Sequence, residues 1–240
     1  MSKTLVLQCS PHVGGVSDAV ADLFAKGMAE AGADLRTVAL RDYAIAPCTG
    51  CGACFRPPNN CVLAGRPLPG QKGDCPVLDQ AEEVFQLIAE AQLIMISSPI
   101  YFYFLPAHFK ALIDRTQRFW TLQGGEDRVP MQLSRAKPVL VAMTAGRKRG
   151  NLLFSGSLLS LKYFLAPLDA TIRETRLLRG LESLKDLHER PAVMAALHAW
   201  GHDWGHRLAA ENAAANSLES PIYGLPTAIS TTLTSENAKP

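Results

Sequence analysis

Residues 4–17 read Thr-Leu-Val-Leu-Gln-Cys-Ser-Pro-His-Val-Gly-Gly-Val-Ser. An apolar run that stops at Ser10-Pro11 and reopens at Gly14-Gly15-Val16-Ser17 is a strand feeding a turn and then a helix N-terminus. The first amides of a helix lack internal partners and lie at the positive end of its dipole, so this junction is an anion site. Ser10 and Ser17 add hydroxyl donors, His12 a candidate cation, and Gly14 and Gly15 let the backbone close around a ligand. The spacing lacks the Lys-Ser/Thr ending of a P-loop and does not fit Gly-x-Gly-x-x-Gly. The phosphate of a mononucleotide is the expected occupant, with an ordinary serine-capped loop as the plainer alternative.

Downstream, Val16, Val20, Leu23, Phe24 and Met28 share one helical face, Gly32 ends the helix, and residues 34–40 form a second strand. Residues 41–78 are rich in Pro, Gly, Asn and Cys and are too long for a plain connection, which marks a functional insertion. Asp79 and Glu82 make a capping-box-like helix start, and residues 93–97 are apolar enough for a parallel strand covered on both faces. A helix led by Pro106 carries Phe109, Leu112 and Ile113; residues 121–136 are loop-like, and 138–144 form the next buried strand. The remainder reads as helix at 156–168, a weaker edge-type strand at 171–178 and helix at 181–213 with a break near Pro191.

Five strands alternating with helices predict an α/β, doubly wound, five-stranded parallel sheet in three layers. The domain spans residues 1–216, and 217–240 form a tail that is mobile or laid across a partner. Ligands in such sheets bind beyond the carboxyl ends of the strands, where the loops 10–17, 98–106 and 145–154 fall.

Composition agrees with one folded domain: 240 residues, 48% apolar and 19% charged. The net charge of +2 comes without a basic stripe interleaved with aromatics, so nucleic acid is not expected as a partner. No apolar run is long enough for a bilayer, and a strand by residue 4 leaves no room for a signal peptide, so a cytoplasmic protein is expected. Five of six cysteines (Cys48, Cys51, Cys54, Cys61 and Cys75) crowd into one segment, which in a reducing compartment points to metal or redox chemistry.

The loop Pro99-Ile100-Tyr101-Phe102-Tyr103-Phe104 follows a strand end directly, where a flat conjugated ring could lie against it and use backbone hydrogen bonds. Phosphate at the first loop and a flat ring at the second describe flavin mononucleotide (FMN). The plainer reading is that these aromatics cap the core.

At these residues the chain resembles the flavodoxin-like family of FMN-dependent NAD(P)H oxidoreductases. The resemblance is carried by Cys9-Ser10-Pro11-His12 with Gly15-Val16-Ser17-Asp18, by Cys48-Thr49-Gly50-Cys51-Gly52-Ala53-Cys54, and by Ser98-Pro99-Ile100-Tyr101 followed by Lys110-Ala111-Leu112-Ile113-Asp114-Arg115. It covers about residues 4–180. The resemblance implies that Ser10, His12, Gly15, Val16 and Ser17 bind the FMN phosphate and that Pro99, Ile100, Tyr101 and Phe102 line the isoalloxazine. It further implies that Thr144 and Gly146 flank the ring's other side. His12 stands where the family more often has Arg or Lys. NAD(P)H would be the donor, a quinone, flavin, aromatic or metal species the acceptor, and the protein a homodimer or homotetramer.

Cys48-x-x-Cys51-x-x-Cys54 is the compact three-thiolate spacing of a [4Fe-4S] site. Cys61 as the fourth ligand gives the compact pattern of the iron-sulfur flavoprotein branch, and it is the preferred choice. Cys75-Pro76 is the alternative, since it also resembles the family's last cysteine with Cys61 inside an insertion. Zinc on four thiolates and unliganded thiols remain open. With a cluster, the chain could instead be an electron-transfer carrier that does not oxidise NAD(P)H itself. His198, His202 and His206 share a helical face, but with Gly201 and Gly205 beside them packing is expected there before metal. Arg147, Lys148 and Arg149 could meet NADPH phosphates or simply face solvent.

Overall fold

The computed structural model describes residues 4–55, 62–63, 66–67, 75–122 and 136–218. Its sheet strands are β1 (Thr4–Gln8), β2 (Leu35–Ala39), β3 (Leu93–Pro99), β4 (Lys137–Ala145) and β5 (Ala170–Arg179). They lie in the order β2-β1-β3-β4-β5, and every neighbouring pair is parallel. The helices are α1 (Val16–Glu30), α2 (Ala81–Glu90), α3 (Ala107–Arg115), α4 (Gln117–Leu122), α5 (Ser155–Leu165), α6 (Leu184–His188) and α7 (Pro191–Leu218). This is the flavodoxin-like strand order.

Period-two burial explains the layers. Val6, Leu93, Met95, Leu140 and Ala142 face Val20, Phe24 and Met28 of α1 and Leu197 and Trp200 of α7. Their sequence neighbours Leu5, Leu7, Ile94, Ile96, Val139 and Val141 face Ile88 of α2, Phe109 and Leu112 of α3, and Leu161 and Phe164 of α5. Both faces are covered, which is why β3 and β4 read as unbroken apolar runs. From β1 the chain steps outward to β2 and then returns past β1 to β3. That reversal opens a crevice at the carboxyl ends of β1 and β3.

Helices α1 and α7 touch backbone to backbone. A Cβ on Gly201 would stand 2.0 Å from the Phe24 carbonyl oxygen, and one on Gly27 would stand 2.0 Å from that of His198. The approach lets Phe24 meet Trp200 edge to face at 5.1 Å. Gly201→Ala should therefore force the helices apart and lower stability by roughly 1–3 kcal/mol or more. A drop in the urea midpoint at unchanged slope would show it, and an unchanged midpoint would contradict it. Across the edge of the sheet, the Glu174 carboxylate accepts the Trp200 indole N–H at 2.8 Å, the Trp204 indole N–H at 3.1 Å and Arg207 at 3.1 Å, tying α7 to β5.

Several elements differ from expectation. The break expected near Pro191 is present, since α6 ends at His188 and Pro191 begins α7, the first-turn position proline tolerates, but the helical stretch starts at Leu184 and not at 181. Helix α7 continues to Leu218, into the first two residues of the tail expected over 217–240, and residues 219–240 lie outside the described residues. Asp79 and Glu82 do not form a capping box, because α2 starts at Ala81 after Gln80, which makes no side-chain cap. The Asp79 carboxylate still accepts the Ala81 amide at 3.0 Å while its other oxygen pairs with Arg115, and Glu82 pairs with Arg118. Within the insertion, a 3-10 turn at Ala53–Phe55 and a two-residue antiparallel pair, Val62–Leu63 with Arg66–Pro67, are the described regular parts. No helix among the described residues is long and apolar enough to cross a membrane.

Candidate functional site

Strand β1 runs into a loop held open by side chains. The Ser10 hydroxyl oxygen accepts the His12 amide at 3.0 Å, leaving the hydroxyl proton to point elsewhere. The Asp18 carboxylate accepts the Gly14 amide at 2.9 Å and pairs with Arg41 at 3.0 Å. Arg41 in turn donates to the Ser10 carbonyl at 3.1 Å, bridging the loop from beyond β2. Gly15 caps α1 with no side-chain hydrogen bond, so the first-turn amides keep their capacity for an anion. Ser97 of β3 donates its hydroxyl to the Ser17 carbonyl at 2.6 Å and fixes the helix start against the sheet. Cys9, beside this loop, is fully buried; burial, and then the charge of Asp18, push its thiol up, so it is an inert packing residue.

The three ligand-edge loops meet around a cavity of about 320 Å³. Ser10, His12, Gly15, Val16 and Ser17 line it from the first loop, Pro99, Ile100 and Tyr101 from the second, and Thr144 and Gly146 from the end of β4. Phe102 is not brought there. It is fully exposed, at φ +49, and Tyr103 follows at φ +63. Tyr101 and Phe104 exchange backbone hydrogen bonds at 2.9 Å, so Phe102 and Tyr103 between them form the tip of a tight hairpin turn, both in the left-handed region. Two aromatic residues in that region cost of order 1–3 kcal/mol each. The amides of Ile100 and Tyr101 are also committed, to the carbonyls of Thr144 and Phe104, and are not offered to a ring as expected.

A fourth wall was missed from the sequence: Leu181, Glu182, Ser183 and Leu184 line the same cavity. The Ser183 hydroxyl and Asp186 form a capping box that starts α6. Hydrogen bonds from the Ser183 amide and hydroxyl hold the Asp186 carboxyl below the usual range. Ser-x-x-Asp at 183–186 was the available signal. Glu182 rests on Gly146, where an added Cβ would overlap its carboxylate at 1.5 Å.

A second cavity, about 240 Å³, is lined by Cys48, Cys51, Cys54 and Cys75 together with Phe55, Val77, Arg115 and Arg118. Cys61 lies outside the described residues. Gly50 and Gly52 sit at φ +66 and +69, which folds the loop tightly enough for the Gly50 amide to donate to Cys48 Sγ at 3.5 Å. Among the described residues no three His, Cys, Asp or Glu side chains converge as a single metal ion requires. An iron-sulfur cluster holds its thiolates apart by its own bulk, so thiols around a cavity are compatible with it. Arg115 and Arg118 bring two guanidinium groups to this lining, paired with Asp79 and Glu82 respectively.

Arg147, Lys148 and Arg149 are exposed beyond β4, with the Arg147 guanidinium 5.5 Å from the centre of the Tyr103 ring. The three histidines of α7 are accounted for by packing. His198 pairs with Glu30 at 2.9 Å, and the His202 and His206 rings meet edge to face at 4.5 Å.

Known proteins bear on this geometry. The chain is 26% identical over 148 residues to iron-sulfur flavoprotein MJ1083 of Methanocaldococcus jannaschii, covering 62% of this chain and 65% of that protein. It is 31% identical over 87 residues to an iron-sulfur flavoprotein of Methanosarcina thermophila, 36% of this chain and 38% of the other. It thus spans less than two thirds of the length of these relatives. Among solved structures, an NAD(P)H:quinone oxidoreductase from Methanothermobacter marburgensis superimposes with TM-score 0.56 at 16% identity, covering 84% of this chain and 94% of that one. An FMN-dependent NADH-azoreductase from Bacillus anthracis, in complex with FMN, gives TM-score 0.56 at 16% identity over 86% and 99%. These likenesses show the fold. The profile of the NADPH-dependent FMN reductases matches residues 2–166, a span that holds all three ligand-edge loops and the cysteine segment, and the chain belongs to that family.

Proposed function

We propose that the chain binds FMN in the cavity at the β1–β3 crevice and acts as an NAD(P)H-dependent oxidoreductase toward a quinone, flavin, aromatic or metal acceptor. One observation carries the reading: three loops chosen for their chemistry, two hydroxyls and a helix start from one and an apolar Pro-Ile-Tyr wall from another, line a single cavity of about 320 Å³. FMN, when bound, supplies the hydride and electron chemistry, and the protein supplies position and environment. Ser10, Ser17 and the first amides of α1 would hold the phosphate, with Arg41 and Asp18 keeping that loop in shape. Pro99, Ile100 and Tyr101 would form one wall of the ring site, and Thr144, Gly146 and Glu182 the other. Membership of the family supports the reading, and the resemblance suggests a homodimer or homotetramer. Anaerobic mixing of flavin-loaded protein with NADPH tests it: rapid bleaching of the yellow absorbance is expected. Bleaching by dithionite but not by NADPH would overturn the hydride-accepting reading in favour of a carrier.

The exposed Arg147-Lys148-Arg149 run stands where a 2′-phosphate could be met. Charge-assisted hydrogen bonds of this kind are worth about 1.5–3 kcal/mol. Neutralising Arg147 and Arg149 together should raise KM for NADPH about tenfold or more while KM for NADH stays put. Equal effects on both nucleotides would contradict the assignment.

A second reading is favoured by the cysteine cavity. Cys48, Cys51 and Cys54, with Cys61 or Cys75 as the fourth ligand, would hold a [4Fe-4S] cluster; the cavity brings Cys75 to the first three, and relatives named iron-sulfur flavoprotein support the reading. Such a cluster supplies single-electron exchange. The chain's part is to present the thiols from a glycine-turned loop and to keep water away with Phe55, Pro76 and Val77. Iron and sulfide assays on anaerobically purified protein decide the matter.

A further inference from the structure

The cysteine cavity is walled on one side by two arginines whose hydrogen bonds are unevenly used. The Arg115 side chain is only 4% exposed. Its terminal nitrogens donate to Asp79 at 2.6 Å and to the carbonyls of Ala46 at 3.2 Å and Val77 at 3.1 Å. Cys75 is within its hydrogen-bonding and charge reach as well. Arg118 is 13% exposed, pairs with Glu82, and lies 4.5 Å over the Phe119 ring and 5.3 Å over the Phe85 ring. In both residues the Nε atom is buried and without a partner. Both belong to the lining shared with the four thiols.

Four thiolates around a cubane carry a net negative charge, and a mostly apolar wall cannot solvate it. Two fixed guanidinium groups in the lining, anchored by Asp79 and Glu82, offset part of it. We propose that Arg115 and Arg118 are the counter-cations of the thiolate-held cluster and raise its reduction potential by their charge; this rests on the cluster reading above. Cluster potentials respond to net charge and to hydrogen bonds on sulfur. Reduction adds an electron to an already anionic group, so adjacent positive charge favours the reduced form.

The test is a dithionite titration of anaerobically purified holoprotein, followed by electron paramagnetic resonance, on wild type, Arg118→Met and Arg115→Lys. Arg118→Met keeps apolar bulk against the phenylalanine rings and removes the charge. Its reduction equilibrium should fall about tenfold, a lowering of about 59 mV for one electron. Arg115→Lys keeps the charge on a more mobile side chain, and a smaller lowering is expected. Iron content and retained FMN are measured beside each potential. Clusters present at wild-type iron content with unmoved potentials overturn the proposal alone. Loss of iron from both variants assigns the arginines a purely structural part and overturns it too. Wild-type protein without iron removes the cluster reading and the proposal together.

Discussion

Replacing Asp18 by alanine is expected to cost the folded protein about 3–5 kcal/mol and to release FMN from it. The Asp18 side chain is 5% exposed and its partner Arg41 is 16% exposed, so removing the carboxylate strands a guanidinium in a mostly dry setting. The Gly14 amide loses its acceptor at the same time. That amide lies within the loop whose shape presents Ser10 and the start of α1 to the cavity. Stability and cofactor retention should therefore fall together. Asp18→Asn keeps an acceptor for Gly14 and should show a milder loss on both counts. Urea unfolding and a fluorescence titration with FMN measure the two effects. A midpoint within experimental scatter of wild type would show that the pair contributes nothing, and normal FMN affinity in Asp18→Ala would show that the loop shapes itself.

Asp79→Ala should be about as damaging, roughly 3–5 kcal/mol, because it breaks a second buried pair. Its partner Arg115 reaches the carbonyls of Ala46 and Val77, on the two sides of the cysteine segment, so both attachments would loosen. The same pair gives a pH signature. Burial alone would raise the Asp79 carboxyl, but hydrogen bonds from Arg115 and from the amides of Ala46 and Ala81 outweigh it and hold the group below its ordinary value. A carboxyl that titrates lower in the folded than in the unfolded chain contributes fully above the unfolded value, about 3.9. That contribution drains away as the pH falls through the lower, folded value. Acid unfolding of wild type should accordingly steepen below about pH 4, and Asp79→Asn should lose that part of the slope. Parallel acid profiles for the two proteins would contradict the assignment.

The layers and the phosphate loop were legible because their signals are local. Alternating burial writes itself into β3 and β4 as apolar runs, and a helix starting straight after Gly15 needs only the preceding strand for context. What escaped was decided by partners distant in sequence. Asp79 looked like a helix cap alone; one of its oxygens does take the Ala81 amide, but the other is held by a guanidinium 36 residues away. Nothing near Cys75 announces that Arg115 will tether Val77 and so help hold that thiol at the cavity of Cys48, Cys51 and Cys54. Phe102 was read as ring-lining because aromatic residues do not advertise a left-handed turn, and only the Tyr101–Phe104 pairing turns it outward. Leu181 to Leu184 were absorbed into a helical pattern although Ser183 and Asp186 carried a start signal. The histidines of α7 were expected to pack before binding metal, and His198 does pair with Glu30 of α1.

The claim beneath all of this is that the loop after β1 grips the phosphate of FMN. Its most direct test is to incubate the protein with excess FMN, desalt it and record the visible spectrum of the protein fraction. A stoichiometric complement of retained flavin is expected, reduced sharply when Ser10 and Ser17 are both changed to alanine. A colourless protein fraction from the wild type would contradict the assignment of this cavity and of the chemistry built upon it.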